Sequence, residues 1–173
     1  MNISIGKNHP EEVNAIVEIP KESHNKYEYD EELGVFKLDR VLHSPLHYPA
    51  DYGLIPETRA EDGDHLDILI IGSNPTFPGC LVEARPIGVM RMIDDGEKDF
   101  KILAVQVNNP RLSEMKELED IKKLNPHFLK EVAHFFEAYK HLENKEVEIK
   151  DWGDRKEALE EIRKTHEAYK NKE

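Results

Sequence analysis

Asp62-Gly63-Asp64-His65-Leu66-Asp67-Ile68-Leu69-Ile70-Ile71 crowds three carboxylates around a glycine and then runs directly into four apolar residues. The apolar half predicts a buried strand, and the acidic half a turn held rigidly at its start. Carboxylates this close raise one another's proton affinity, so the cluster is stable at neutral pH only where cations or hydrogen bonds offset the repulsion. Oxygen-only donors favour hard ions such as magnesium, manganese or calcium. The same residues also suit a plain solvated turn, and the surrounding sequence must separate the two readings.

Upstream, Val13 to Ile19 reads as a strand ended by Pro20 and carrying Glu18 near its end. Lys26-Tyr27-Glu28-Tyr29-Asp30 alternates with period two, which puts Lys26 and Glu28 on one face and the two tyrosines on the other. A turn at Glu31 to Gly34 leads into a strand over 35–42. Downstream, strands are predicted over 80–93 and 100–107. Between them Asp94-Asp95-Gly96-Glu97-Lys98-Asp99 repeats the recipe of carboxylates around a glycine. Hairpin turns favour Asp and Gly for conformational reasons, so an ordinary turn stands beside the second half of a multi-metal site. In such a site, paired divalent ions clamp phosphoryl oxygens and acidify water.

The last third reads as helical. Asn125 as N-cap with Pro126 at the first position predicts a helix whose Phe128, Val132, Phe136 and Tyr139 share a face. Phe135 could face either the core or a neighbouring subunit. Asp154 with Glu157 forms a capping box for a terminal helix, with Ala158, Ile162 and Tyr169 toward the core. A shorter charged helix is expected between Ser113 and Leu124. Strands followed by helices indicate an α+β fold: a small antiparallel barrel or curled sheet with helices outside. At 173 residues, one domain spanning 1–173 is expected.

A net charge of −12 opposes non-specific binding to nucleic acid or anionic membranes and favours bound cations. The lone Cys80 rules out an internal disulfide framework and suits a reducing compartment. No apolar stretch approaches membrane-spanning length, and Met1 to Lys7 lacks the regions of a signal peptide, so a cytoplasmic protein is expected. Lys26, Arg40, Tyr48, Tyr52, Lys101, Tyr139 and Lys140 include donors able to hold phosphate oxygens. Each also has a plainer reading, as a solvated lysine or a core tyrosine.

The ordered segments Val17-Glu18-Ile19-Pro20, Lys26-Tyr27-Glu28, Asp39-Arg40, Tyr48 to Gly53, Asp62 to Asp67, Arg85 to Val89, Asp94 to Lys101 and His134 to Lys140 together resemble soluble inorganic pyrophosphatase, family I. The resemblance spans roughly residues 13–152. It implies a five-stranded OB-like antiparallel β-barrel with flanking helices, magnesium dependence with manganese, zinc or cobalt able to substitute, and hydrolysis of inorganic diphosphate. The compact length is similar to the prokaryotic form, which implies a homo-oligomer, a hexamer. By position, Asp62, Asp67 and Asp99 match ligands of a first metal, with Asp67 also reaching a second. Asp94 and Asp99 match ligands of ions that arrive with substrate. Asp64 matches the general base. Lys26, Arg40, Tyr52, Lys101, Tyr139 and Lys140 match residues that grip phosphate, Glu18 and Glu28 line the pocket, and Tyr48 supports it from behind.

Two positions depart from that pattern. His65 stands where proline is usual, which implies a freer backbone there. Asp95 is shorter than the glutamate often found in its place, which argues against a direct metal role. Two other readings remain: a non-enzymatic cation-binding module, which has no need of Arg40, Lys101 or Lys140, and an oligonucleotide-binding barrel, against which the net charge of −12 argues.

Overall fold

The computed structural model describes residues 2–171. Positions 1, 172 and 173, included in the expected domain of 1–173 and, for Met1, in the leader comparison, lie outside the described residues. The chain forms β1 (Val13–Ile19), β2 (Asn25–Asp30), β3 (Val35–Val41), β4 (Asp51–Ile55), β5 (Leu66–Ile71), β6 (Leu81–Asp94), β7 (Glu97–Lys98) and β8 (Lys101–Gln106). There follow α1 (Leu118–Leu124), α2 (Phe128–Ala138), β9 (Val147–Gly153) and α3 (Arg155–Lys170).

Strands β1, β4, β5, β8 and β6 close into a ring of five, because β6 pairs with β1 as well as β8. Closure leaves no unpaired edge within the ring, and it gives the OB-like α+β barrel. Four junctions are antiparallel, whereas β5 and β8 run parallel, with Asp67 opposite Lys101. Outside the ring β9 pairs with the second half of β6, and β2 with β3 forms a separate hairpin.

The ring wall is apolar on both sides, which is why β5 reads as an unbroken apolar run. Leu66, Ile68 and Ile70 pack into one core with Ala158 and Ile162 of α3. Leu69 points the other way, with Met90, Leu103, Val132 and Phe136 under α2. Phe135 belongs to this second core and is 3 % exposed, which answers the question its periodicity left open. The α3 capping box forms as expected: Glu157 donates its backbone N–H to Asp154 Oδ1 at 3.0 Å, and Asp154 donates to Glu157 Oε2 at 2.9 Å.

Four features differ from expectation. Asn125 closes α1 and does not open α2, its N–H donating to the Ile121 carbonyl at 2.8 Å. A residue before proline disfavours the helical region, so Pro126 ends one helix and spaces it from the next, which starts at Phe128. Tyr169 is half-buried on the cavity wall and is not part of the core. Helix α1 is also shorter than the span expected for it. Finally, β4 and β9 were not legible as strands; β9 alternates charge and apolar residues on an outer edge, and β4 is short and contains Gly53.

Candidate active site

At one bend of the ring wall the backbone itself aims a carboxylate. Val17 pairs with Gly53 and Ile19 with Tyr52, leaving Glu18 as the extra residue of a β-bulge. Bulges re-aim side chains, and this one turns Glu18 into a cavity of about 670 Å³. The approach is close enough that a Cβ on Gly53 would lie 1.9 Å from the Ile16 carbonyl oxygen, so only glycine fits. Glu18 Oε1 accepts the Tyr29 N–H at 2.8 Å, which anchors the β2–β3 hairpin beside the site. Burial raises the Glu18 carboxyl to about 7, against the lowering effect of that bond.

The parallel pair carries further groups into the same cavity. Because Asp67 and Lys101 occupy the same register, the buried Lys101 ammonium donates to Asp67 Oδ2 at 2.5 Å and also to Asp99. The Tyr52 hydroxyl donates to the same Asp67 oxygen. Burial opposes the charge on Lys101, but the two carboxylates outweigh it and raise its proton affinity. Asp99 is raised by burial and then by Asp67, against the pull of Lys101. Tyr52 and Tyr139 are held well above their ordinary range, first by burial and then by the surrounding carboxylates, so both remain hydrogen-bond donors.

The turn before β5 supplies Asp62 and Asp64. Asp62 Oδ1 accepts the Asp64 N–H at 2.9 Å, and the Ala60 N–H donates to the Asp64 carbonyl at 2.8 Å, which fixes the turn. The Asp64 carboxylate itself accepts no hydrogen bond and pairs with no cation among the described residues. Partial burial, then Asp62 and Asp67, raise its pKa. His65 does not leave the loop slack: its Nδ1 lies 2.9 Å from the Thr58 carbonyl and its Nε2 3.4 Å from Glu31 on the β2–β3 hairpin.

From the second acidic turn, Asp94 and Asp99 reach the cavity and Asp95 does not. Lys140, just beyond α2, donates to Asp94 Oδ2, while Asp94 Oδ1 is buried with no hydrogen-bond partner. Lys26 pairs with Glu28 across one strand face, as the period-two reading requires. Two of the expected residues do not line the cavity. Arg40 turns to Asp39 at 2.5 Å and Glu143 at 3.1 Å. Tyr48 is buried behind the wall, between Tyr52 and Phe135 at ring distances of 5.5 and 4.7 Å.

The cavity also includes Glu31, Arg59 and Tyr169, none of which sequence reading placed in a site. Arg59, three residues before Asp62, is the one of these with a visible signal: a cation in a loop that is otherwise acidic. Nine carboxylates face the cavity against four Lys and Arg side chains. Such a donor set has the chemistry to hold hard cations. In this arrangement, however, no group of three His, Cys, Asp or Glu among the described residues is placed to hold a metal ion. Lysine ammonium groups stand between the carboxylates in that role.

The family described as inorganic pyrophosphatase matches residues 15–170. An inorganic pyrophosphatase of Geobacillus stearothermophilus is 54% identical over 140 residues, covering 81% of this chain and 83% of that protein. That of Halalkalibacterium halodurans is 50% identical over 161 residues, covering 93% and 97%. The crystal structure of the inorganic pyrophosphatase from Thermus thermophilus superposes with a TM-score of 0.93 at 43% identity, covering 97% of both chains. Ring, cavity and sequence agree, and the chain belongs to the inorganic pyrophosphatase family.

Proposed function

We propose that this cavity hydrolyses inorganic diphosphate to two phosphates, with Asp64 as general base and magnesium as the working cation. The family's reaction is a phosphoric-anhydride hydrolysis, and the observation that carries the assignment of residues is the Asp64 carboxylate. It is unpaired, open to the cavity and raised in proton affinity, and it shares that cavity with Lys26, Lys101, Lys140, Tyr52 and Tyr139. A base must be free to accept a proton, and a raised pKa brings a carboxylate closer to that task at neutral pH.

Metal dependence belongs to the family. The residues here fit hard cations by chemistry: the donors are carboxylate oxygens, they outnumber the cavity's cations, and the buried Asp94 Oδ1 lacks a partner. Asp62, Asp67, Asp94 and Asp99 would hold them, and manganese, zinc or cobalt would substitute. Bound divalent ions supply Lewis-acid polarisation of water and of phosphoryl oxygen. The chain's own part is separable. Asp64 takes the proton of the attacking water. Lys26, Lys101 and Lys140 neutralise oxygens of the departing phosphate, and the Tyr52 and Tyr139 hydroxyls orient them by hydrogen bonds. Arg40, engaged with Asp39 and Glu143, would join them by exchanging those carboxylates for phosphate. Glu18 and Glu28 shape the acidic wall, and Tyr48 braces Tyr52 from behind.

We further propose one domain over 1–173, a homo-oligomer of hexameric form and a cytoplasmic location. A half-buried free Cys80 supports the last, and no helix among the described residues is long and apolar enough to cross a membrane. Phosphate release from diphosphate, with and without magnesium, tests the reaction. Magnesium-dependent release that collapses in Asp64→Asn is the expected result. A folded protein that binds magnesium and releases no phosphate would overturn the proposal.

A further inference from the structure

Of the four Lys and Arg side chains on the cavity wall, three are already committed: Lys26 to Glu28, Lys101 to Asp67 and Asp99, and Lys140 to Asp94. Arg59 is the fourth. It is half-buried, and its guanidinium makes no hydrogen bond or ion pair among the described residues. In a chain of net charge −12, with carboxylates on the same wall, that is an unusual condition. A guanidinium presents five donors in a fixed fork and is normally matched by a planar or phosphoryl acceptor when it loses water.

The backbone holds Arg59 in place. Its N–H donates to the Thr165 carbonyl of α3 at 2.9 Å, and the adjacent Ala60 N–H donates to the Asp64 carbonyl at 2.8 Å. The guanidinium lies along the acidic turn, with Nη2 3.4 Å from where a Cβ on Gly63 would sit. Gly63 has φ +98°, a conformation that glycine adopts freely, so the same residue permits the turn and leaves room for the fork. Cations gathered by the neighbouring carboxylates would repel Arg59, so what satisfies it must be an anion.

We propose that Arg59 is a substrate-binding residue, its fork taking phosphoryl oxygens of diphosphate on the Asp62–Asp64 side of the cavity. The assignment rests on diphosphate being the substrate. It gives the Asp62–Asp64 turn a planar donor of its own, besides the lysines that β8 and the end of α2 bring to the cavity.

The test compares wild-type protein with Arg59→Gln and Arg59→Lys. Calorimetry reads binding of methylenediphosphonate, a non-hydrolysable diphosphate analogue, in magnesium buffer, and steady-state assays read KM and kcat for diphosphate. Losing charge-assisted hydrogen bonds is expected to weaken analogue binding and raise KM roughly 10- to 100-fold in Arg59→Gln, with kcat little changed. Arg59→Lys should recover part of that loss, since lysine keeps the charge and loses the fork. Wild-type hydrolysis together with unchanged analogue binding in Arg59→Gln overturns the assignment of Arg59 alone. So does tighter magnesium binding in Arg59→Gln with KM unmoved, the mark of a wall charge that only tempers the carboxylates. Wild-type protein that neither binds the analogue nor releases phosphate overturns the reading of the substrate, and this assignment with it.

Discussion

The turns at Asp62–Asp67 and Asp94–Asp99 have nearly the same composition, yet they spend their carboxylates differently. Asp62, Asp64 and Asp67 all face the cavity, whereas from the second turn only Asp94 and Asp99 do. The second is a regular two-residue hairpin: Asp94 pairs with Glu97, and Asp95 and Gly96 sit at φ 48° and 89°. Both central residues at positive φ match the turn that suits strand twist, and this directs Asp95 away, toward Lys145 at 3.4 Å. The first turn is irregular and held by its own Asp62 side chain, so successive carboxylates can face one way. Composition proposes a site, and backbone geometry decides which residues belong to it.

The sharpest way to break this comparison is at Asp64. Asp64→Asn keeps shape and removes the proposed base, so turnover is expected to fall by roughly 10²- to 10⁴-fold while the unfolding midpoint hardly moves. Full activity in that variant would make the first turn no more catalytic than the second. Next comes the ammonium that ties the turns together. Lys101 is 3 % exposed and bonds Asp67 from one turn and Asp99 from the other. Removing one partner of a buried charge cluster leaves the rest uncompensated, so Lys101→Met should cost on the order of 3–5 kcal/mol in chelator, measured by urea unfolding. Added magnesium should restore part of that loss if the freed carboxylates take up cations.

Much of this was legible because local patterns carried it. The period of Lys26 to Asp30, the capping box at Asp154 and the apolar run after Asp67 each depend on residues close in sequence. What was not legible depends on partners far along the chain. The parallel pairing that sets Asp67 beside Lys101 joins residues 34 apart, and the Glu18 bulge exists only because β4 passes so close. Asn125 shows the local limit. It carries a sound helix-start signal, but the preceding apolar Ile121 and Leu118 are buried and make it an end. The family resemblance supplied Arg40 as a cavity residue; in this structure its guanidinium is held by Asp39 and Glu143 instead.

Glu18 sharpens the contrast by showing a carboxylate that neither turn supplies. Its folded pKa is about 7 against an ordinary 4.5, and burial is the main cause. The folded state therefore binds its proton more tightly than the unfolded state does. Stability from this group is full below about pH 4.5 and declines as pH rises toward 7, where the unfolded chain ionises first. The difference amounts to about 3 kcal/mol at its upper end. Glu18→Gln keeps an acceptor for the Tyr29 N–H and cannot ionise, so in chelator its stability should vary less between pH 5 and 8 than that of the wild type. Parallel pH profiles for the two proteins would place the burial cost elsewhere.

Asp95 is where the smallest effect is expected, and that smallness is informative. Its side chain is about half exposed and its partner Lys145 lies 3.4 Å away, also half exposed, so the pair is screened by solvent. Exposed pairs of this kind contribute between nothing and about 1 kcal/mol. Asn is well suited to the positive φ that Asp95 holds, so Asp95→Asn removes a charge and leaves the turn intact. Stability should stay within about 0.5 kcal/mol of wild type, as for other surface changes, and turnover should be nearly unaffected. Asp94→Asn, one residue earlier, removes charge from a half-buried carboxylate on the cavity and should not be silent. Equal effects at the two positions would mean that the hairpin opens in the working enzyme, with Asp95 swung into the cavity beside its neighbour.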